Sequence, residues 1–210
     1  MSEKKYYVVW KGHQPGIYEK WQDCQKQISG YPGAIYKAFP SKEIAEAAFY
    51  SPPENYLGKK NFKPKVDKEE LKRIGTPISD SLCVDGAWNT ASGDVEYQGV
   101  YTKTGKKIFR MGPFRDGSNN IGEFLGIVHA LAYLKKNNLS IPVYSDSKTA
   151  ISWVRNKKTK TTIKPSESNK ELFELLKRAE KWLSENSYPN RVLKWETKAW
   201  GEIPADFGRK

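Results

Sequence analysis

The sequence predicts an α/β protein: a mixed five-stranded sheet flanked by helices, preceded by a small unit of three strands and two helices. Short β-branched or aromatic runs bounded by Gly, Pro, Asn or Asp indicate the strands. Longer runs with apolar residues three and four positions apart indicate the helices. Residues 51–77 are rich in Pro and Lys and lack a long apolar period, which predicts a linker between residues 1–50 and 78–210.

Residues 1–50 carry the elements of the small unit. Strands are predicted at KKYYVVWKG, after the Pro15-Gly16 turn and at Ala34–Phe39, and helices at Trp21–Ile28 and from Ser41 onward. The linker has one predicted helix, from Asp67 to Ile74.

A unit this short has little core of its own, so its aromatic residues have two interpretations. Trp21 and Tyr36 either supply scarce core area, or present their faces for stacking on sugars or bases while Lys37 meets a phosphate. The residue types by themselves favour the first interpretation.

Residues 78–210 predict the order β-β-β-α-β-α-α-β, followed by an acidic tail segment. A strand that ends in a polar residue just before a helix places that residue at the crevice where open α/β sheets bind ligands. The predicted strands are Ser81–Val84, Asp94–Lys103, Lys106–Met111, Ile141–Tyr144 and Arg191–Glu196, and the predicted helices span 118–133, begin at Ser147 and span Glu171–Glu185.

The composition limits the class of function. A net charge of +12 and a pI near 9.5 favour a polyanionic partner, with nucleic acid ahead of an anionic membrane. No long apolar run or signal-like segment is present, so we expect a soluble, cytoplasmic protein that does not enter a membrane, and a monomer by default. Cys24 and Cys83 are too few for a zinc site or a secreted disulfide framework.

One acidic residue lies where a helix normally buries apolar side chains. On a helical wheel, Glu123 falls within an apolar arc beside Ile127 and Leu134, whereas Gly126 and His129 fall on the opposite, wetter side. A carboxylate turned toward a core is costly unless it is neutralised, hydrogen-bonded or bound to a cation. The alternative is an acid at the arc's edge near the helix start, where acids are favoured.

Three further carboxylates favour a cation-binding role for Glu123 over a position at the helix start. Asp85 and Asp146 each follow a predicted strand, and Asp206 lies near the end of the chain with no apolar residues to explain its place. Each acid by itself is more simply a helix cap or a solvated turn. Clustered acids repel one another, and hard divalent cations such as Mg²⁺ relieve this through carboxylate oxygens. Two such ions about 3.5–4 Å apart clamp a phosphodiester in nucleases, so the acids and the basic charge together favour a nuclease.

The segments around these acids resemble a known family. CVDGAW, NNIGEFLGIVHAL, YSDSKTAISWV and WGEIPADFGRK are similar to the four acidic motifs of type 1 ribonuclease H, in the bacterial form that lacks a basic protrusion. YYVVWKGHQPGIYEKWQDCQKQISGYPGAIYKAF resembles the hybrid-binding domain that precedes many of these enzymes. The likeness covers nearly all of the chain outside the linker, and it implies a ribonuclease H-like sheet.

The resemblance also implies a reaction and its cofactor. The expected activity is endonucleolytic hydrolysis of the RNA strand in RNA/DNA hybrids with two Mg²⁺ ions, for which Mn²⁺ can substitute, leaving 5′-phosphate and 3′-hydroxyl ends. Asp85, Glu123, Asp146 and Asp206 would be the metal ligands, and Glu202 an additional acid that assists metal exchange and product release. Glu123 would also accept a hydrogen bond from a ribose 2′-hydroxyl.

Residues implied to contact the hybrid fall into two groups. In residues 1–50, Trp21 and Tyr36 would pack on DNA sugars and Lys37 would meet phosphate, which replaces the core interpretation. In residues 78–210, the implied contacts are Asn119 and Lys148 in the minor groove or on the backbone, and Ser118, Asn120, Thr161, Thr162 and Thr197 on phosphates.

Several positions depart from the family pattern. Lys148 stands where related enzymes often have Gln, Trp88 and Ala91 fill the loop after Asp85, and Ala38 stands where some members have a second Lys. Two other classes of protein remain as alternatives. A non-catalytic binder of hybrids or double-stranded RNA would not need the four acids, and an integrase-like or reverse-transcriptase-associated nuclease of the same fold would act on another duplex.

Overall fold

The computed structural model describes residues 5–50, 52–53, 56–57 and 66–208. By its internal contacts the chain divides into two compact units. The first comprises Met1–Pro77 with Glu196–Glu202, and the second comprises Ile78–Trp195 with Ile203–Lys210. The predicted division at residues 50 and 77 stays a prediction, and much of the predicted linker lies outside the described residues.

The first unit is built on a three-stranded antiparallel sheet. Its order is β2-β1-β3, with β1 at Tyr6–Lys11, β2 at Gly16–Tyr18 and β3 at Ile35–Phe39. Helix α1 spans Trp21–Ile28 and α2 spans Lys42–Phe49. These elements confirm the predicted small α/β unit.

The side chains of successive residues in β1 point to opposite faces of this sheet. Val8 is fully buried with Phe39 and with Ile44 of α2, whereas the ring of Tyr7 lies 5.4 Å from that of Trp21 in α1. This alternation follows from the two-residue period of a strand. The predicted linker helix is confirmed as α3 at Lys68–Ile74, capped by Asp67.

The second unit contains a five-stranded mixed sheet of order β6-β5-β4-β7-β8. Strands β4, β5 and β6 are antiparallel, and β7 and β8 continue from β4 in parallel. The order of strands and helices agrees with the prediction, and a short α7 follows β8. The bounds are β4 Leu82–Trp88, β5 Val95–Tyr101, β6 Lys106–Phe114, α4 Asn119–Lys136, β7 Val143–Ser145, α5 Lys148–Arg155, α6 Lys170–Glu185 and β8 Val192–Lys194. Helix α7, Thr197–Trp200, lies in the segment that groups with the first unit.

The prediction that Asp85 follows a strand is wrong. β4 pairs with β5 from Leu82 through to Trp88, so Asp85 lies inside the strand, opposite Gln98. The strand continues because β5 supplies ladder partners that no local pattern reveals. Asp146 does directly follow its strand, as predicted.

Helix α4 is the centre of the second unit's core. It packs against β4 and β5 and also contacts α5 and α6. The expected wet position of Gly126 is wrong, because Val84 and Tyr97 would lie 3.5 and 3.7 Å from a Cβ placed there. The ring of His129 is half-buried and stacks on Phe109 with 4.0 Å between centroids, consistent with a structural role.

Two further expectations concern cysteines and membranes. Cys24 and Cys83 are each buried and free, as small hydrophobes are. In the part of the chain that the structure describes, every helix falls short of the length and hydrophobicity needed to cross a bilayer.

Candidate active site

Three carboxylates meet at one edge of the five-stranded sheet. Asp85 comes from β4, Glu123 from α4 and Asp146 from the residue after β7. Because β4 and β7 are parallel neighbours with Cys83 paired to Tyr144, Asp85 and Asp146 follow at matching positions. One oxygen from each of the three side chains lies within 4.8 Å of the others.

Two glycines allow this meeting. A Cβ on Gly86 would lie 2.7 Å from the amide nitrogen of Glu123, and a Cβ on Gly122 would lie 2.8 Å from Val95 and 3.4 Å from the Cα of Gly86. Strand β4 and helix α4 therefore touch backbone to backbone immediately beside the two acids. Sequence reasoning missed this role, although each glycine adjoins a predicted metal ligand in the motifs CVDG and IGEF.

Burial and mutual repulsion disfavour the charged forms of Asp85 and Glu123. Asp85 is 7% exposed and Glu123 is 2% exposed. Burial, with the neighbouring charges of Asp146 and Asp206, raises the pKa of Asp85 to about 7, and a hydrogen bond from Glu123 opposes this. Burial and then the charges of Asp85 and Asp146 hold the pKa of Glu123 well above its usual range. Hard oxygen donors at this spacing fit a divalent cation such as Mg²⁺, which would relieve the repulsion.

Two side chains orient Glu123. Ser145 Oγ donates to Glu123 Oε2 at 3.3 Å, and Asn119 Nδ2 donates to Oε1 at 3.4 Å. Ser145 is fully buried at the end of β7, and its Oγ also accepts from the backbone N–H of Ser147 at 3.1 Å. Sequence reasoning missed Ser145, although it stands in the YSDS motif directly before Asp146.

Asp206 shares an open cleft with Asp85. The cleft has a volume of about 410 Å³ and is lined by residues 85–90 together with Asn119, Asp206 and Phe207. The group of oxygens within 4.8 Å of one another does not include Asp206, whose Oδ2 accepts from the backbone N–H of Gly208 at 2.9 Å. Trp88, one of the departures from the family pattern, lines this cleft and is 46% exposed.

The predicted contacts in α4 and α5 are accessible. Asn119, which lines the cleft, and Asn120 are exposed in the first turn of α4, and the Ser118 side chain makes no capping hydrogen bond there. Lys148 is exposed at the start of α5, two residues after Asp146. A ligand in the cleft can therefore reach Asn119.

Thr161 and Thr162 lie in the loop between α5 and α6, which is held at both ends. Glu180 Oε1 accepts from the backbone N–H and the hydroxyl of Thr159, at 2.9 and 2.6 Å. Asn169, buried at 3% exposure, donates to the carbonyls of Lys164 and Asp116 at 3.1 and 3.4 Å. The hydrogen bonds of Asn169 therefore connect the loop to Asp116, which precedes α4.

The predicted contacts in the first unit divide between two faces of its sheet. Trp21 and Tyr36 are 38% and 42% exposed, and their ring centroids lie 5.9 Å apart. Lys37 points to the opposite face, where its amine donates to the carbonyl of Tyr56 at 2.5 Å. Thr197 and Glu202 belong to the segment that groups with this unit, and their predicted roles stay predictions.

Comparisons with known proteins show the family of this chain. The sequence model described as Ribonuclease H1 N-terminal domain matches residues 5–49. A ribonuclease H from Clostridium botulinum is 37% identical over 146 residues, which cover 60% of this chain and 94% of that protein. This chain belongs to the ribonuclease H family.

Other relatives of this ribonuclease H match over shorter stretches. A ribonuclease H from Saccharomyces cerevisiae is 36% identical over 80 residues, or 35% of this chain, and the chain covers 23% of that relative's length. Among solved structures, a ribonuclease H1 isolated from compost aligns over 58% of this chain and 89% of its own, with 15% identity and a TM-score of 0.37. The family assignment rests on the sequence matches.

We expect Glu123→Gln to stabilise the protein when no metal is present. The change replaces an acid whose charged form is disfavoured by burial and by the neighbouring charges of Asp85 and Asp146 with a neutral amide. A gain of about 1 kcal/mol raises the melting temperature of a chain this size by about 2–4 °C. The measurement is thermal unfolding at pH 8 in EDTA.

Glu180→Gln is the matched control for that change. Its carboxylate is held by Lys158 and Thr159, so the same substitution removes hydrogen bonds to a charged acceptor and lowers stability by about 1 kcal/mol or more. A fall in melting temperature for both variants would show that charge repulsion in the carboxylate cluster is not costly.

Proposed function

We propose that this ribonuclease H is an endonuclease that hydrolyses the RNA strand of RNA/DNA hybrids with Mg²⁺. The observation that carries the proposal is the group of Asp85, Glu123 and Asp146, whose oxygens lie within 4.8 Å of one another beside an open cleft. Within this family, and in a chain of net charge +12, such a cluster fits phosphodiester hydrolysis.

The acids divide the work of the site. Asp85, Glu123 and Asp146 would hold the cations, and Asp206 would complete the set from the same cleft. Two ions held there would supply charge stabilisation for an in-line displacement at phosphorus, and Mn²⁺ would substitute for Mg²⁺. The products are a 5′-phosphate and a 3′-hydroxyl. Glu202 assists product release.

Glu123 and Asn119 select RNA at the cleaved position. Asn119 is exposed in the cleft and donates a hydrogen bond to Glu123. This pair of side chains therefore presents an amide donor and a carboxylate acceptor to a ligand. Glu123 accepts a hydrogen bond from the ribose 2′-hydroxyl, which a DNA strand lacks. Asn119 contacts the minor groove, and Lys148 meets the backbone.

The partner strand is gripped through its phosphates. Short neutral donors lie near the start of α4, at Ser118 and Asn120, and in the loop between α5 and α6, at Thr161 and Thr162. Thr197 makes a further phosphate contact. Exposed Lys and Arg side chains add sequence-independent affinity, which falls steeply with salt. No protein partner is required for this chemistry, and the protein acts as a monomer.

Residues 1–50 bind the hybrid through an aromatic surface made by Trp21 and Tyr36. Both rings are exposed, in contrast to the buried rings that a core role would require. The ammonium of Lys37 carries three N–H donors, so it can meet a phosphate while it donates to the carbonyl of Tyr56.

We expect Trp21→Ala to weaken hybrid binding by about tenfold or more, because stacking on an aromatic ring contributes about 1–3 kcal/mol. The single-turnover rate at saturating enzyme should not change, since the cleft belongs to the other unit. Tyr31→Ala, whose ring packs on His13, is the control and should leave affinity unchanged. Equal losses in the two variants would contradict the assigned surface.

The test of the proposal is cleavage of a labelled RNA strand in a hybrid. Double-stranded RNA, double-stranded DNA and single-stranded RNA are assayed in parallel, each with Mg²⁺ and with EDTA. Mg²⁺-dependent cleavage of the hybrid alone supports enzyme, substrate and cofactor together. Binding without cleavage would indicate a binding module, and cleavage of double-stranded DNA would indicate the integrase-like alternative.

A further inference from the structure

Asp206 lies on a stretch of irregular backbone. Its neighbours Ile203 and Ala205 are fully buried, whereas Asp206 is only half-buried and opens onto the cleft. Unlike Asp85 and Glu123, it has no strand or helix to set the direction of its side chain. The backbone N–H of Gly208 donates to its Oδ2, and contacts of the flanking residues fix the backbone from which the side chain extends.

Those contacts come from a row of side chains across the sheet. In the strand register Asp85 of β4 pairs with Gln98 of β5, and Gln98 pairs with Arg110 of β6. Directly paired residues of neighbouring strands share a face. Asp85, Gln98 and Arg110 thus form one row that begins at a metal ligand.

The second and third members of this row contact the two neighbours of Asp206. Gln98 Nε2 donates to the carbonyl of Ala205 at 2.7 Å. The guanidinium of Arg110 lies over the ring of Phe207, 5.3 Å from its centroid. Gln98 is 6% exposed, so its hydrogen bond forms in a site largely shielded from water, where it is stronger than at the surface.

Glu96 holds Arg110 in that position. Nε and Nη2 of Arg110 donate to Glu96 Oε2 at 2.9 and 2.5 Å, and Glu96 is 7% exposed. The charge of Arg110 is therefore matched by Glu96 and is not added to the carboxylate cluster. Its remaining face is available for the cation–π contact with Phe207.

We propose that Gln98 and Arg110 are positioning residues for Asp206. They fix the residues on either side of it, so that its carboxylate faces the cleft beside Asp85 and completes the metal-binding set. This inference rests on the proposed function, and it adds two residues that touch neither metal nor substrate.

The test compares Arg110→Met and Gln98→Met with the unchanged protein. Calorimetric titration of each protein with Mg²⁺ alone, without nucleic acid, measures metal affinity. Cleavage assays give the Mg²⁺ concentration for half-maximal rate. Loss of a residue that orients a metal ligand typically weakens metal affinity or activity by about 10–100-fold, and we expect this in both measurements.

Lys106→Met is the matched control. It removes one positive charge from the same strand as Arg110 without touching the C-terminal segment in any described contact. Its Mg²⁺ affinity should equal that of the unchanged protein. An equal loss in Lys106→Met and Arg110→Met would reduce the effect to general electrostatics and overturn the inference.

A double-mutant cycle shows whether the effect passes through Asp206. In the Asp206→Asn background, Arg110→Met should cause no further loss of Mg²⁺ affinity, because the group it positions is gone. A full additional loss would overturn the inference. If Arg110→Met unfolds at the assay temperature, Phe207→Leu removes the same contact from the other side and takes its place in the cycle.

Failure of this inference differs from failure of the proposed function. If the unchanged protein neither binds Mg²⁺ nor cleaves the hybrid, the proposed function is wrong. If it does both, and the Gln98 and Arg110 variants bind Mg²⁺ equally well, only the positioning role is wrong.

Discussion

Asp146→Asn is expected to abolish cleavage of the RNA strand while hybrid binding persists. Asp146 supplies one of the three oxygens that lie within 4.8 Å of one another, and an amide there loses the charge that holds a divalent cation. Metal stabilisation of the transition state is worth several kcal/mol, and each tenfold in rate corresponds to about 1.4 kcal/mol. The single-turnover rate should therefore fall by about a thousandfold or more.

Hybrid affinity in the same variant should equal or exceed that of the unchanged protein, because one negative charge has left the approach of a phosphate backbone. Fluorescence anisotropy of a labelled hybrid in Ca²⁺ measures this separately from cleavage. Asp80→Asn is the control: the same chemical change, at an exposed acid that accepts from Tyr101, should leave the rate unchanged. Turnover within tenfold of normal in Asp146→Asn would contradict its assignment as a metal ligand.

Gly86→Ala is expected to damage both stability and cleavage, although it adds one methyl group. That methyl would lie 2.7 Å from the backbone nitrogen of Glu123 and 2.9 Å from the carbonyl carbon of Gly122. Since both atoms are backbone, strand β4 and helix α4 must separate. Overpacking of this kind costs about 1–3 kcal/mol of unfolding free energy. Displacing a reacting group by about 1 Å costs about 100-fold in rate.

Gly126→Ala is the control for the same substitution. Gly126 is buried in α4, one helical turn after Gly122. Its added methyl would lie 3.5 Å from Val84 and 3.7 Å from Tyr97, which is ordinary van der Waals contact. We expect it to raise the unfolding free energy by about 0.5–1 kcal/mol, as Ala replaces Gly in a helix. Urea unfolding and single-turnover cleavage of both variants form the measurement. Equal behaviour of the two would show that the close approach at Gly86 does not place Glu123.

Most of the acids proposed as metal ligands could be predicted from the sequence because each carries its own local signal. Glu123 interrupts an apolar helical period, and Asp146 lies between a β-branched strand and a helix start. These signals extend over a few residues, which is the range that periodicity covers. Asp85 was found for the wrong local reason, since its strand runs on to Trp88.

The residues that bring the acids together left no such signal. Gly86 and Gly122 matter only because β4 and α4, more than thirty positions apart in the chain, touch at that point. Gln98 and Arg110 matter only because the strand register puts them in one row with Asp85. A pattern of residue types specifies neither the register between strands nor the distance between elements.

The amino-acid sequence by itself determined the order of strands and helices, the basic charge that suits a polyanion, and the acids that suit a divalent cation. Each of these depends on residue type and spacing along the chain. Only the tertiary structure decided that three of the acids share one site, that Asp206 opens onto the same cleft, and that Lys37 donates to the carbonyl of Tyr56. Those facts depend on distances between residues far apart in the chain, which packing of the folded backbone sets.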